Sequence, residues 1–250
     1  MATGVKAAAF AAFIRIFSVG FGGIYESWSI ALTWIALLTM FGANLIALTQ
    51  GSVKRMLAYS SIAHAGYLLV AVVAANQDGA AAFLFYLLVY TLMTAGAFGV
   101  VIANGKGPQE RIALTDYAGF GWQQPVLGAI FAILLLSLAG FPLTGGFIGK
   151  LYILRAALDA GHTRLAVALV LASAISYFYY LRIILIMYMR PAASTDEHAH
   201  VWLSPSARVA VTVSAVAVLV LFFAPGLVLG LADTSVASLF NTQGLFGLTP

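Results

Sequence analysis

The chain has 250 residues, of which 62% are apolar and only 8% charged, with a net charge of +4 and no cysteine. A soluble domain carries roughly 25% charged residues, so a water-facing globular fold is excluded. The missing thiols exclude disulfides, thiolate-held iron–sulfur clusters and cysteine-ligated zinc within the chain.

Apolar runs of about 20 residues recur along the sequence, the length that crosses roughly 30 Å of hydrocarbon. Backbone polar groups in lipid need internal partners, which leaves helices or a closed barrel. The runs are continuous rather than alternating with period two. The expected fold is therefore all-α, a single transmembrane domain over residues 1–250 with about seven spanning helices.

The first predicted span covers Ala2–Val19. It lacks a basic leader and a cleavage site, so it is no signal peptide, and its abrupt start leads us to expect further sequence before Met1. The loop Gly20–Ser27 follows. Further spans are expected over Trp28–Thr49, Arg55–Ala75 and Ala80–Ala103, separated by the turns Gln50–Lys54 and Asn76–Gly79. The polar loop Asn104–Gln123 comes next. The fifth element, Gln124–Asp159, is too long for one straight span and is interrupted at Gly140-Phe141-Pro142-Leu143-Thr144-Gly145-Gly146. A sixth span over Thr163–Met189, a polar loop Arg190–Ser206, a seventh span over Ala207–Leu231 and a weakly polar tail complete the chain. Alternate loops carry Lys54, Arg55, Lys106, Arg111, Arg190 and Arg208. The positive-inside rule puts these in the cytoplasm, and the C-terminus outside.

Three features point to chemistry. The first is ionisable groups inside apolar segments: Lys6, His64 and Lys150. A lysine at the centre of a span costs about 3 kcal/mol on insertion scales, so such groups face a bundle interior or a wet cavity. Linked by water, they make a proton path. Lys6 near the chain start equally fits a side chain snorkelling to the interface, and His64 taken alone fits a hydrogen-bonded packing residue better than a relay. His162, His198 and His200 fall in loops and read as solvated. The second feature is the break itself. Pro142 removes a backbone donor, the glycines loosen the same region, and transporters place such breaks where backbone groups meet water or ions. An ordinary kink fits as well, but Lys150 follows the break closely. The third is a set of hydroxyls that fit either a water chain or helix-to-helix hydrogen bonds. Tyr59, Ser60, Ser61 and Tyr67 lie on the third span, Tyr86, Tyr90 and Thr91 on the fourth, and Thr144 at the break. The pairs 60/64 and 86/90 each share a helical face. Tyr177, Tyr179, Tyr180 and Arg182 occupy the sixth span, where Arg182 is expected to pair or snorkel.

The stretch Gly-Ser-Val-Lys-Arg-Met-Leu-Ala-Tyr-Ser-Ser-Ile-Ala-His-Ala-Gly-Tyr-Leu over residues 51–68 resembles a signature of subunit N of respiratory complex I, the proton-pumping NADH–quinone oxidoreductase. Leu136–Tyr152 is similar to that family's broken helix with its lysine, and the opening segment with Lys6 is similar to the helix carrying its central lysine. The three motifs stand in family order. Leu143 stands where many relatives have proline.

The resemblance implies the second repeat of an antiporter-like fold. In that fold residues 1–19 form the helix of the central lysine, residues 28–190 the remaining repeat helices and residues 207–231 a C-terminal helix. It implies that an N-terminal half of the family fold is missing from this chain. It implies proton translocation through Lys6, His64 and Lys150, with Tyr59, Ser60, Tyr86, Tyr90 and Thr144 supporting a water chain, coupled to quinone reduction elsewhere in the complex. It implies a non-redox subunit of a translocase in a bacterial-type inner membrane. NADH, FMN, iron–sulfur clusters and quinone would belong to partner subunits, and the partners would be the other membrane-arm subunits and lipid. A cation/proton antiporter or membrane-bound hydrogenase subunit, and a non-transporting scaffold, stay open as alternatives.

Overall fold

The computed structural model describes residues 4–105, 112–191 and 204–241. Ten α-helices occur among them: α1 (Gly4–Arg15), α2 (Tyr25–Leu48), α3 (Val53–Ala74), α4 (Gln77–Asn104), α5 (Phe120–Gln123), α6 (Pro125–Ala139), α7 (Gly145–Asp159), α8 (Thr163–Met189), α9 (Pro205–Phe223) and α10 (Gly226–Asn241). Five of these, α2, α3, α4, α8 and α9, are long and apolar enough to cross a membrane. The other expected spans are assembled from shorter pieces. α1 runs on into a π-helical turn, Ile16–Gly20, and the fifth expected element is the pair α6 and α7.

The seventh span departs from expectation. It ends at Phe223 rather than Leu231, and the supposed tail holds α10. Pro225 biases the residue before it away from the helical region, and Ala224 accordingly sits at φ −132°, ψ 60°. Apolarity continues across this point, so composition alone hides the stop.

Local signals explain the other boundaries. Ser52 caps α3, and the Asn76 side chain accepts from Gly79 N at 2.6 Å to start α4. Pro125 occupies the first turn of α6, where its missing N–H is an orphan in any case. The described part of the loop before it, residues 112–124, is tied into the bundle. Val53 N donates to Ile112 O and Leu114 N to Gly51 O, each at 2.9 Å, and Tyr117 is fully buried beneath the bundle end.

The central helix is α4, which packs on α3, α6, α7, α9 and α10. One apolar core lies around its C-terminal half with α6, α8 and α9. A second lies around its N-terminal half with α2, α3 and α7. The end opposite the Gly51–Leu114 pairing is fastened by Tyr25, whose hydroxyl donates to Val73 O at 2.8 Å and lies 2.7 Å from His162 Nε2. His162 is therefore not the solvated loop residue expected from its position: it is half-buried and tied to α2.

Candidate proton-transfer site

The break between α6 and α7 is closed by backbone chemistry. Gly140 has φ +88°. Gly140 N donates to Ser137 O at 3.0 Å, and Phe141 N donates to Leu136 O at 2.9 Å, the pair of bonds that ends a helix in the Schellman arrangement. Leu143 also has positive φ, +73°. Proline is locked near −65°, so the turn built here is not one that proline could make. Beyond it, Thr144 spends its hydroxyl on Phe141 O at 2.6 Å, and α7 begins. Gly146 N donates to Ser137 Oγ at 3.1 Å, and Ser137 Oγ donates to Met93 Sδ at 2.9 Å. A Cβ on Gly146 would run into the Ser137 carbonyl, so the two half-helices meet as closely as backbone allows.

Lys150 is directed back at this junction from one turn inside α7. It is 6% exposed. Its Nζ donates to Ala139 O at 2.7 Å and to Leu138 O at 3.1 Å, two carbonyls that the end of α6 leaves without helical partners. The negative end of the α6 dipole favours a cation there. The same Nζ lies 4.8 Å from the centroid of the Tyr67 ring, a cation–π distance. Among the described residues no carboxylate forms an ion pair with it; the ion pair present there is Arg155–Asp159. Tyr177 completes the junction by donating to Gly140 O at 2.7 Å.

A second polar cluster joins α3, α4 and α8. His64 is 1% exposed. Its Nδ1 lies 2.6 Å from the Tyr86 hydroxyl, and its Nε2 lies 3.2 Å from the Tyr180 hydroxyl. Tyr180 is in turn hydrogen-bonded to Ser60. Each hydroxyl both donates and accepts, and the imidazole can accept at one nitrogen while donating from the other. Tyr86, His64, Tyr180 and Ser60 thus form one unbroken hydrogen-bonded row. Tyr90 packs on the His64 ring with centroids 5.0 Å apart, yet neither its hydroxyl nor Thr94 Oγ1 one turn on makes a close hydrogen bond among the described residues.

Tyr67 touches both clusters. Its ring lies under Lys150 and makes an edge contact with His64, centroids 5.4 Å apart. Its hydroxyl accepts from Asn44 Nδ2 at 3.1 Å. Asn44 is fully buried; it also donates to Met40 O and Ala172 O, and its Oδ1 accepts from Tyr179 at 2.8 Å. Sequence reasoning passed over Asn44. Its one signal is an amide within Phe-Gly-Ala-Asn-Leu-Ile-Ala, an apolar run in which such a group needs interhelical partners.

Of the expected site residues, the structure brings together His64, Ser60, Tyr86 and Tyr90, and places Lys150 across Tyr67 from His64. Thr144 lies at the break with its hydroxyl already engaged. Tyr59 is half-buried at the rim of the core and makes no hydrogen bond among the described residues. The side chain of Lys6 lies outside the described residues, as do Lys106, Arg111, His198 and His200.

The fold and site define a membrane-embedded helical bundle with a broken helix, a buried amine at the break and a buried imidazole beside it. The family model described as NADH:quinone oxidoreductase/Mrp antiporter, TM, matches residues 1–176, and the chain belongs to this family. It is 45% identical over 241 residues to NADH-quinone oxidoreductase subunit N 1 of Solibacter usitatus, covering 96% of this chain and 49% of that protein. It is 50% identical over 186 residues to the subunit N 1 of Sorangium cellulosum, covering 71% and 37%. Against respiratory complex I from Thermus thermophilus with bound aureothin, the TM-score is 0.77 at 39% identity, covering 92% of this chain and 49% of that one. The Mrp complex from Dietzia sp. DQ12-45-1b shares the fold at a TM-score of 0.80 and 23% identity, covering 94% and 51%. The chain thus spans no more than about half the length of these relatives.

Proposed function

We propose that the chain acts in the membrane arm of an NADH–quinone oxidoreductase and carries protons across the bilayer through Lys150, His64 and their hydroxyl partners, with Lys6 as a further carrier. The observation that supports this most is Lys150: a buried amine at a helix break, held by two carbonyls and an aromatic face. An ammonium has three N–H donors and a neutral amine two, so both carbonyl bonds survive loss of a proton. The site therefore accepts either protonation state without leaving a carbonyl unpaired, which suits a carrier better than a structural ion pair.

The His64 row supplies the second half of the argument. A proton delivered to Nδ1 from Tyr86 releases another from Nε2 to Tyr180 and onward to Ser60, after which the hydrogen bonds must reverse for the next cycle. No hydrogen bond links Lys150 to His64, so water or a hydroxyl movement past Tyr67 must close that step. In this reading the oxidation of NADH and the reduction of quinone take place on other subunits, which hold the FMN, iron–sulfur clusters and quinone. The membrane is the bacterial-type inner membrane, with the C-terminus outside and the other membrane-arm subunits and lipid as neighbours.

The test is Lys150→Met in the full subunit within its assembled complex, reconstituted in liposomes. We expect assembly to be retained and NADH-driven proton uptake to fall at least tenfold. Undiminished pumping per NADH oxidised sinks the role of Lys150 and favours a scaffold. The family description spans antiporters as well, so a cation/proton antiporter subunit is the second reading. Dependence of transport on sodium rather than on NADH oxidation would select it.

A further inference from the structure

The outward face of α8 carries charge where a spanning helix should carry none. Phe178, Arg182, Leu185 and Met189 recur at spacings of three and four, so they form one stripe. All four are exposed, Phe178 at 72% and Met189 at 77%. The stripe lines a groove of about 620 Å³ that runs from Tyr177 to Arg190. Among the described residues neither Arg182 nor Arg190 has an ion pair or hydrogen bond.

Depth decides what belongs there. The 27 residues of α8 make a helix of about 40 Å, roughly 10 Å longer than the hydrocarbon layer. Arg182 lies seven residues before Met189, about 10 Å along the axis. That is a few ångströms below the hydrocarbon boundary when the overhang is shared between both ends. A guanidinium on its long stem reaches the headgroup layer from that depth. Arg190 stands at the helix end, in the headgroup layer itself. Both cations therefore converge on the level of lipid phosphates, with Phe178 and Leu185 below them as an apolar bed. The guanidinium fork matches a phosphate in two parallel hydrogen bonds.

We propose that this groove is a binding site for an anionic phospholipid, with its phosphate held by Arg182 and Arg190 and an acyl chain lying over Phe178 and Leu185. The charge supplies the choice of occupant: an apolar face alone accepts any lipid, whereas two guanidiniums at headgroup depth, neither in an ion pair among the described residues, select a net-negative one. The site does not depend on the proton-transfer reading.

The test uses the full subunit in its complex, purified in mild detergent, with phosphatidylglycerol, phosphatidylcholine or inorganic phosphate added in turn. Phosphatidylglycerol should raise the melting temperature by about 3–6 °C, with phosphatidylcholine and inorganic phosphate giving less than a third of that. R182Q/R190Q should lose the phosphatidylglycerol shift, and R208Q, a charge loss on α9, should keep it. An equal shift from inorganic phosphate, or a full shift in R182Q/R190Q, overturns the proposal. A photo-crosslinking residue at Leu185 in native membranes provides a check that needs no destabilising variant. A phospholipid adduct supports the site, and a polypeptide adduct overturns it by showing a protein helix in the groove.

Discussion

The two polar clusters solve the same problem in opposite ways. On α3, α4 and α8 the helices are continuous, every backbone group is spent internally, and side chains must satisfy one another. His64, Tyr86, Tyr180 and Ser60 do so in one row, and Asn44 on α2 joins them by accepting from Tyr179 and donating to Tyr67. At the junction of α6 and α7 the backbone is broken, and a side chain satisfies the backbone instead: Lys150 takes the two carbonyls that end α6. The first arrangement is specific and stiff, because each group fixes the next. The second holds a charge at a place where carbonyls, glycines and a ring can accommodate it in either protonation state. Under the proton-transfer reading, the second would hold a proton and the first would pass it on.

That contrast is broken most severely at Gly146. Its added Cβ meets the Ser137 backbone, which has no rotamer to give way. Gly146→Ala should therefore part α6 from α7, costing about 3 kcal/mol or more. We expect the subunit to fail to accumulate in membranes, measured by immunoblot and by a melting temperature lowered beyond that of any variant below. Normal accumulation would mean that the junction is looser than drawn. Gly140→Ala is the milder version. It forces φ +88° on a residue with a Cβ, at a cost of about 1–2 kcal/mol, and it puts that Cβ 2.9 Å from Lys150 Cδ. We expect pumping per NADH oxidised to fall more than stability does; equal losses would make the glycine structural only.

Asn44 tests the stiff cluster. Asn44→Leu keeps the branching and the number of heavy atoms but leaves the Tyr179 and Tyr67 hydroxyls without their amide, at about 1–3 kcal/mol for each group left unsatisfied. Thermal unfolding should report a drop that Asn44→Asp does not restore, since a carboxylate accepts from Tyr179 but donates nothing and adds an unpaired buried charge. An unchanged melting temperature would show that the four bonds carry no weight. Tyr86→Phe asks a narrower question. It removes the hydroxyl on His64 Nδ1 for about 1 kcal/mol, and under the proton-transfer reading it should slow pumping several-fold while the complex still assembles.

How much of this was legible beforehand follows the same division. His64 and Lys150 stand out in the sequence because an ionisable group in an apolar run is expensive, and the break stands out because glycine and proline crowd around residues 140–146. What Lys150 does there is not legible: it reaches back eleven and twelve residues to carbonyls exposed only by the way the chain turns. Asn44 is neutral, so it barely disturbs the apolar pattern, although it makes more bonds than any residue that does. His162 misled because a loop position says nothing about Tyr25, 137 residues away. The stop at Phe223 was hidden by apolarity continuing through Pro225. Sequence announces costs, and the partners that offset them depend on packing.

The smallest expected effect separates a dry cluster from a wet one. Tyr90 packs beside His64 with a buried hydroxyl that makes no close hydrogen bond among the described residues, and Thr94 on the next turn is in the same state. If the space between them is dry, Tyr90→Phe removes an unpaired polar group and should leave the melting temperature unchanged or raise it by a degree or two, since deleting an unsatisfied hydroxyl is neutral to stabilising. If an ordered water bridges the two hydroxyls, the same change strands that water and Thr94, and the melting temperature should fall by about 2–4 °C. The second result would extend the His64 row along α4 by one hydrated step, because Tyr86, Tyr90 and Thr94 succeed one another at a spacing of four on a single face. The first would confine proton movement to the row of Tyr86, His64, Tyr180 and Ser60, and would leave Tyr90 as a packing residue whose hydroxyl serves no bond.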